Sequence, residues 1–218
     1  MTHRFFIIVS LGVALSIYGE DGAEEKLRRR FVTAYTAAQT VEGRTEAVGL
    51  LKGVREKESM RLLAGMLGDK HEAVRKAACV AISGTGDKEG YFVKPLMGAL
   101  TDASRSVRAA AADALGQAEI KADAVKGLAF ALLALSAEKG QVEQDAPVVE
   151  AFDAALSRLT GKKAEKPDPK DRAAFWIDHW KQNEEALRAA DEKKLAIVPK
   201  SREGMAPDTF DQLDQKKP

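Results

Sequence analysis

Chemistry needs clustered groups, and this chain scatters them. His71 and His179 stand 108 residues apart, and His3 belongs to the extreme N-terminus. No His-x3-His, His-Glu-x2-His or Cys/His cluster supplies a zinc ligand set. No Asp-x-Asp-x-Asp loop offers a calcium site. Cys79 is the single cysteine, so no internal disulfide can form, and its Ala-rich surroundings point to a small packed residue rather than a reactive thiol. There is no Gly-x-Ser-x-Gly elbow and no phosphate-binding loop. Gly84-Thr85-Gly86 reads as the end of a helix. The carboxylate pairs Glu24-Glu25 and Glu184-Glu185 read as solvated faces. Arg28-Arg29-Arg30 fans around a helix at ~100° per residue and makes no single basic patch. These residues predict no catalysis, cofactor or metal.

Composition narrows the class further. Lys+Arg total 34 and Asp+Glu total 33 in 218 residues. That balance lacks the basic surplus that displaces counterions from nucleic acid. Aromatics make up 6% and hydrophobic residues 45%. An Ala/Leu-rich, highly charged chain of this kind is helical.

The residues that do recur belong to a repeat. Residues 60–83 align with residues 93–116 at an offset of 33 without a gap. Leu63 falls on Leu96, Asp69 on Asp102, Val74-Arg75 on Val107-Arg108, and Ala77-Ala78 on Ala110-Ala111. Each unit predicts two helices around a turn. Met60, Leu63, Ala64 and Leu67 give the first its i, i+3, i+4, i+7 stripe, as do Val93, Leu96, Met97 and Leu100. Val74, Ala77, Ala78, Ala81 and Ile82 line the second, with Val107, Ala110, Ala111, Ala114 and Leu115 as their counterparts. One such hairpin cannot cover its own apolar face and must stack on a neighbour.

The pattern Leu-x3-Leu-x-Asp-x4-Val-Arg-x-Ala-Ala-x2-Ala-Leu resembles HEAT repeats of the short bacterial type, clearly over residues 60–116. The resemblance implies an all-α solenoid. It also implies that Asp69 and Asp102 cap turns while Arg75 and Arg108 pair with turn aspartates of adjacent units. An Asp before a helix satisfies open N–H groups independently of any family.

The flanks predict further hairpins. Leu27, Phe31, Ala34, Tyr35 and Ala38 mark a helix from about Glu24 to Val41, with a turn expected at Glu42-Gly43. Val125 to Leu135 and Val148 to Leu159 predict a fourth pair across a charged loop, Ala137 to Ala146, expected to be exposed. Gly161 is an expected C-cap. Asp168-Pro169 opens a helix carrying Trp176 and Trp180, expected to cover the end of the array. The expectation is about four hairpins over 20–161, a linker and capping helix over 162–190, and a tail over 191–218 with little order.

The N-terminus carries an export signature. Thr2-His3-Arg4 precedes an uncharged run from Phe5 to Tyr18, then Gly19 and the charged Glu20-Asp21. Residues 1–19 read as a signal peptide, with an uncleaved anchor as the alternative that would bring the chain to a membrane.

In HEAT-like solenoids the second helices tend to line the concave face. On that ground Lys76, Cys79, Val80, Ser83, Ala109, Ala112, Asp113 and Gly116 are the expected binding strip. The expected function is a non-catalytic scaffold for a protein or peptide outside the cytoplasm, without nucleic acid. A structural envelope protein, or an accessory of the HEAT-like lyase type, are the alternatives.

Overall fold

A computed structural model describes residues 22–137, 145–166 and 168–197. Among the described residues it is all-α. The helices are α1 (22–37), α2 (Val41–Gly49), α3 (Lys57–Gly65), α4 (Glu72–Ser83), α5 (Val93–Ala99), α6 (Arg105–Leu115), α7 (Ala122–Ala137), α8 (Ala146–Thr160) and α9 (Pro169–Leu195). They form two layers. α3, α5, α7 and α9 stack in one, and α2, α4, α6 and α8 in the other. α1 extends the first layer through its contacts with residues 55, 56 and 69. The solenoid expected from the 33-residue period is the observed fold.

Apolar periodicity explains the layers. Leu63, Val74, Ala78, Val107, Ala111 and Leu115 are fully buried between first and second helices. Gly116 marks a close approach of two backbones: a Cβ there would lie 2.9 Å from Ala155 Cα, so α6 and α8 touch because this residue has no side chain. Phe31 and Tyr35 of α1 close one end of the core, and Trp176 closes the other.

Helix ends follow local chemistry, with some remote help. Thr40 Oγ1 accepts from Gly43 N at 3.1 Å, so α2 begins at Val41. The expected turn at Glu42-Gly43 is therefore the first turn of a helix, and the true break spans residues 38–40. Gly161 ends α8 in the left-handed region, φ 71°, as its glycine predicts. Asp168 caps α9 through Lys170 N at 2.7 Å.

Two first helices take their caps from elsewhere in the chain. Glu24 of α1 accepts from Arg55 N at 3.0 and 2.9 Å, and from Glu56 N, at the start of α3. Asp191 of α9 accepts from Lys121 N and, at 2.7 Å, from Ala122 N at the start of α7. Asp191 is buried. The boundary expected at residue 190 thus falls inside α9, which continues to Leu195 because Asp191 ties it to α7. Residues 198–218 of the expected tail, and 138–144 of the expected exposed loop, lie outside the described residues, as does the expected signal segment 1–19. Asp145, at the end of that loop, is fully buried rather than exposed.

An ion-pair ladder runs between the units. Arg75 donates from Nε and Nη2 to Asp102 at 2.6 and 2.8 Å, and from Nη1 to Asp69 O at 2.8 Å. Arg108 repeats the step to Asp145 at 2.9 Å and to Asp102 O at 2.8 Å. Each arginine thereby ties its own turn to the turn of the next unit. Asp69 and Asp102 also accept from His71 N and Ser104 N, at 2.7 and 2.8 Å. At the N-terminal end Glu42 stands 33 residues before Arg75 and cannot serve. Tyr35 Oη donates to Asp69 instead, with the Arg44 guanidinium 5.6 Å above its ring. At the other end Arg172 Nη1 and Trp176 Nε1 converge on Asp153 at 2.5 and 2.7 Å.

Asp145→Ala leaves the largely buried Arg108 guanidinium without its carboxylate, while half-exposed Arg105 turns to solvent, and is expected to destabilise by about 3–5 kcal/mol. Asp191→Ala removes a helix cap and should cost about 1–2 kcal/mol. Urea unfolding followed by circular dichroism measures both, and equal effects would contradict the ladder.

Candidate functional site

The expected binding strip splits when built from its helices. α4 and α6 each pack against their own first helix and also against a second helix on either side. Three packed sides leave a narrow accessible stripe. On α4 that stripe includes Lys76, Val80 and, half-buried, Ser83. On α6 it includes half-buried Ala109 and exposed Asp113. Val80 is 49% exposed, a large apolar side chain in contact with solvent.

Cys79, Ala112 and Gly116 do not belong to it. Cys79 and Ala112 are 0% exposed, and Gly116 is pressed against Ala155 of α8. Their inclusion followed from a single packing face; the lateral neighbours bury them. Burial pushes the Cys79 thiol up to about 12, so it stays protonated and unreactive.

One residue of this face was not singled out by spacing. Arg158 of α8 donates to Asp113 at 2.7 Å and bridges two second helices across the stripe. Asp145 was missed for a definable reason. Asp69 and Asp102 each precede the Val of their unit by five residues, whereas Asp145 precedes Val148 by three. The signal available was the unmet need of Arg108 for an acid.

Asp69, Arg75, Asp102 and Arg108 lie together along the turns, in the ladder. The hydrogen bond from Arg75 holds the Asp102 carboxyl below the usual carboxylate range, against the effect of burial. Burial works to raise Asp69, but donation from Tyr35 and His71 takes it below that range. Burial, then the neighbouring Asp69, pushes the Tyr35 phenol up. The Arg75 guanidinium is raised by its bond to Asp102. Every shift favours the bonded state, so none marks an acid or base poised for turnover.

His71 Nδ1 lies 3.1 Å from Asp69 Oδ1. His179 stacks on Phe175 at 6.4 Å, and burial lowers its pKa. Among the described residues no three His, Cys, Asp or Glu side chains gather where they could hold a metal ion. No described helix is long and apolar enough to cross a membrane.

Residues 29–116 match the family model for HEAT repeats. The matched stretch is a run of HEAT repeats, and the all-α stack around it fits a HEAT-like repeat protein. The match begins within α1, takes in α2, and stops where α6 ends. No curated protein is similar enough to the chain to count as a match. HEAT repeats commonly serve as protein-interaction scaffolds, typically without catalysis.

Two outcomes follow from this geometry. A thiol reagent at pH 8 should leave Cys79 unmodified in the folded chain and modify it fully in denaturant, read by mass spectrometry. Asp69 and Asp102 titrate lower folded than unfolded, so their contribution is complete above the ordinary carboxylate range and lost as pH falls through their folded values. Stability should therefore fall steeply below about pH 4, and the fall should be shallower in Arg75→Met, measured by urea midpoints.

Proposed function

We propose that this HEAT-like solenoid is a non-catalytic scaffold that binds a protein or peptide, and that it works outside the cytoplasm. The observation that carries the binding role is the division of α4 and α6 into two sets of positions. Arg75 and Arg108 are consumed in holding units together. Lys76, Val80, Ala109 and Asp113 lie beyond that ladder, on the stripe left open between neighbouring helices. An exposed valine flanked by small residues suits the side of a helix or an extended strand, because it lets a partner backbone approach closely. Export rests on the basic start, the uncharged run from Phe5 to Tyr18, and Gly19 before the charged Glu20-Asp21.

The test is affinity capture of the tagged full-length chain from cell-envelope extract, beside Val80→Glu and Lys76→Glu. Both positions are exposed, so the variants keep the fold. One partner held by the parent and lost from Val80→Glu is the expected result. Equal capture by all three would remove this face from the function. N-terminal sequencing of the native protein should begin at Glu20, and a cytoplasmic chain starting at residue 1 or 2 would contradict export.

A further inference from the structure

A second surface lies on the layer of first helices. Between α3, with its 3-10 continuation Met66–Gly68, and α5 runs a groove of about 500 Å³. Ala64, Leu67, Pro95 and Ala99 give it apolar walls, and Tyr91 adds an aromatic side. Leu67 and Tyr91 remain half-buried, so apolar area is left for another molecule to cover.

Gly98 is the telling residue. It lies inside α5, where glycine costs roughly 0.5–1 kcal/mol relative to alanine. Its φ is not positive, so the backbone does not require it. A Cβ there would meet nothing within 4 Å, so packing does not require it either. The physical effect of Gly98 is to keep the groove open. Gly68, on the same groove, is likewise unobstructed.

The charge of the groove is one-sided. Asp102 reaches its lining, but Arg75 already holds that carboxylate at 2.6 Å. Lys94 also lines it and, among the described residues, pairs with no carboxylate. Lys70, exposed in the turn two residues beyond Gly68, has no carboxylate partner there either. Glu58 of α3 is held by Arg61. An apolar floor beside unpaired lysines selects an apolar side chain flanked by negative ones.

We propose that this groove binds a linear segment of a partner protein in which a leucine or phenylalanine side chain is flanked by Asp or Glu. The proposal rests on the reading of the chain as a binding scaffold, but it uses a different face, so the two can fail separately.

The test uses the full-length chain and a fluorescein-labelled peptide, Gly-Asp-Asp-Leu-Phe-Asp-Asp-Gly, followed by fluorescence anisotropy. A second peptide carries Lys for each Asp. The acidic peptide should bind saturably and the basic one should not. Gly98→Glu and Lys94→Glu should each weaken binding at least about tenfold, which is ~1.4 kcal/mol. Lys181→Glu, exposed on α9 and outside both binding faces, should bind like the parent. Helical circular dichroism guards against misfolding, and Gly98→Ala serves as a second check because it should raise the melting temperature. No saturation by the acidic peptide, equal binding of both peptides, or undiminished binding by Gly98→Glu would overturn the proposal. So would a chain that sediments as a dimer and dissociates on Gly98→Glu, since a second copy would then be the occupant. A partner captured through Val80 while the acidic peptide fails to bind would sink the groove alone.

Discussion

A guanidinium that reaches from one turn to the next is the constraint on which the other features depend. Arg75 spends one nitrogen on the carbonyl of its own turn and two on the carboxylate of the next. One unit on, Arg108 gives Nη1 to the carbonyl of its own turn and Nη2 alone to Asp145, which Arg105 also holds. Hairpins that share an apolar interface can slide, because hydrophobic contact is not directional. A planar, bidentate donor is directional, and fixes both spacing and rotation. The register it sets places Gly116 against Ala155 and leaves Val80 on the outside.

The same constraint explains why function does not sit where charge is densest. Burying an ion pair is tolerable when the geometry is good and remaining donors find acceptors. Asp69 and Asp102 meet that condition with backbone N–H groups from His71 and Ser104, whereas Asp145 Oδ2 and Arg108 Nε are buried without a hydrogen-bond partner among the described residues. The Asp69 and Asp102 carboxyls titrate below the ordinary range, which suits a strut and not an acid or base. The ends of the array show how the rule is kept when its residue is missing. Tyr35 substitutes for an arginine at one end, and Trp176 joins Arg172 on Asp153 at the other.

Much of this was legible in the sequence where the period held. The 33-residue offset placed the paired helices and their apolar faces, and the resemblance to HEAT repeats implied the roles of Asp69, Arg75, Asp102 and Arg108. Legibility ended where contacts crossed long stretches of chain. Asp191 caps a helix 70 residues away, and Glu24 caps one 31 residues away. Periodicity carries no trace of such partners. Asp145 was hidden by a two-residue change of spacing. Of the expected strip, Lys76, Val80 and Asp113 reach solvent, whereas Cys79, Ala112 and Gly116 are buried by neighbours on the flanks, because helical spacing reports only one packed side. Gly98 recurs as Gly65 at the 33-residue offset, but a glycine inside a repeat reads first as a tolerated defect, so the groove beside it was not legible.

The measurement closest to the central claim is a double-mutant cycle on Arg75→Met and Asp102→Leu, with stability taken from urea unfolding. A directional strut between units predicts a coupling of roughly 1–3 kcal/mol, with the double variant less destabilised than the sum of the singles. Additivity within roughly 0.5 kcal/mol would mean that apolar stacking alone sets the register, and that the ladder decorates the solenoid instead of holding it.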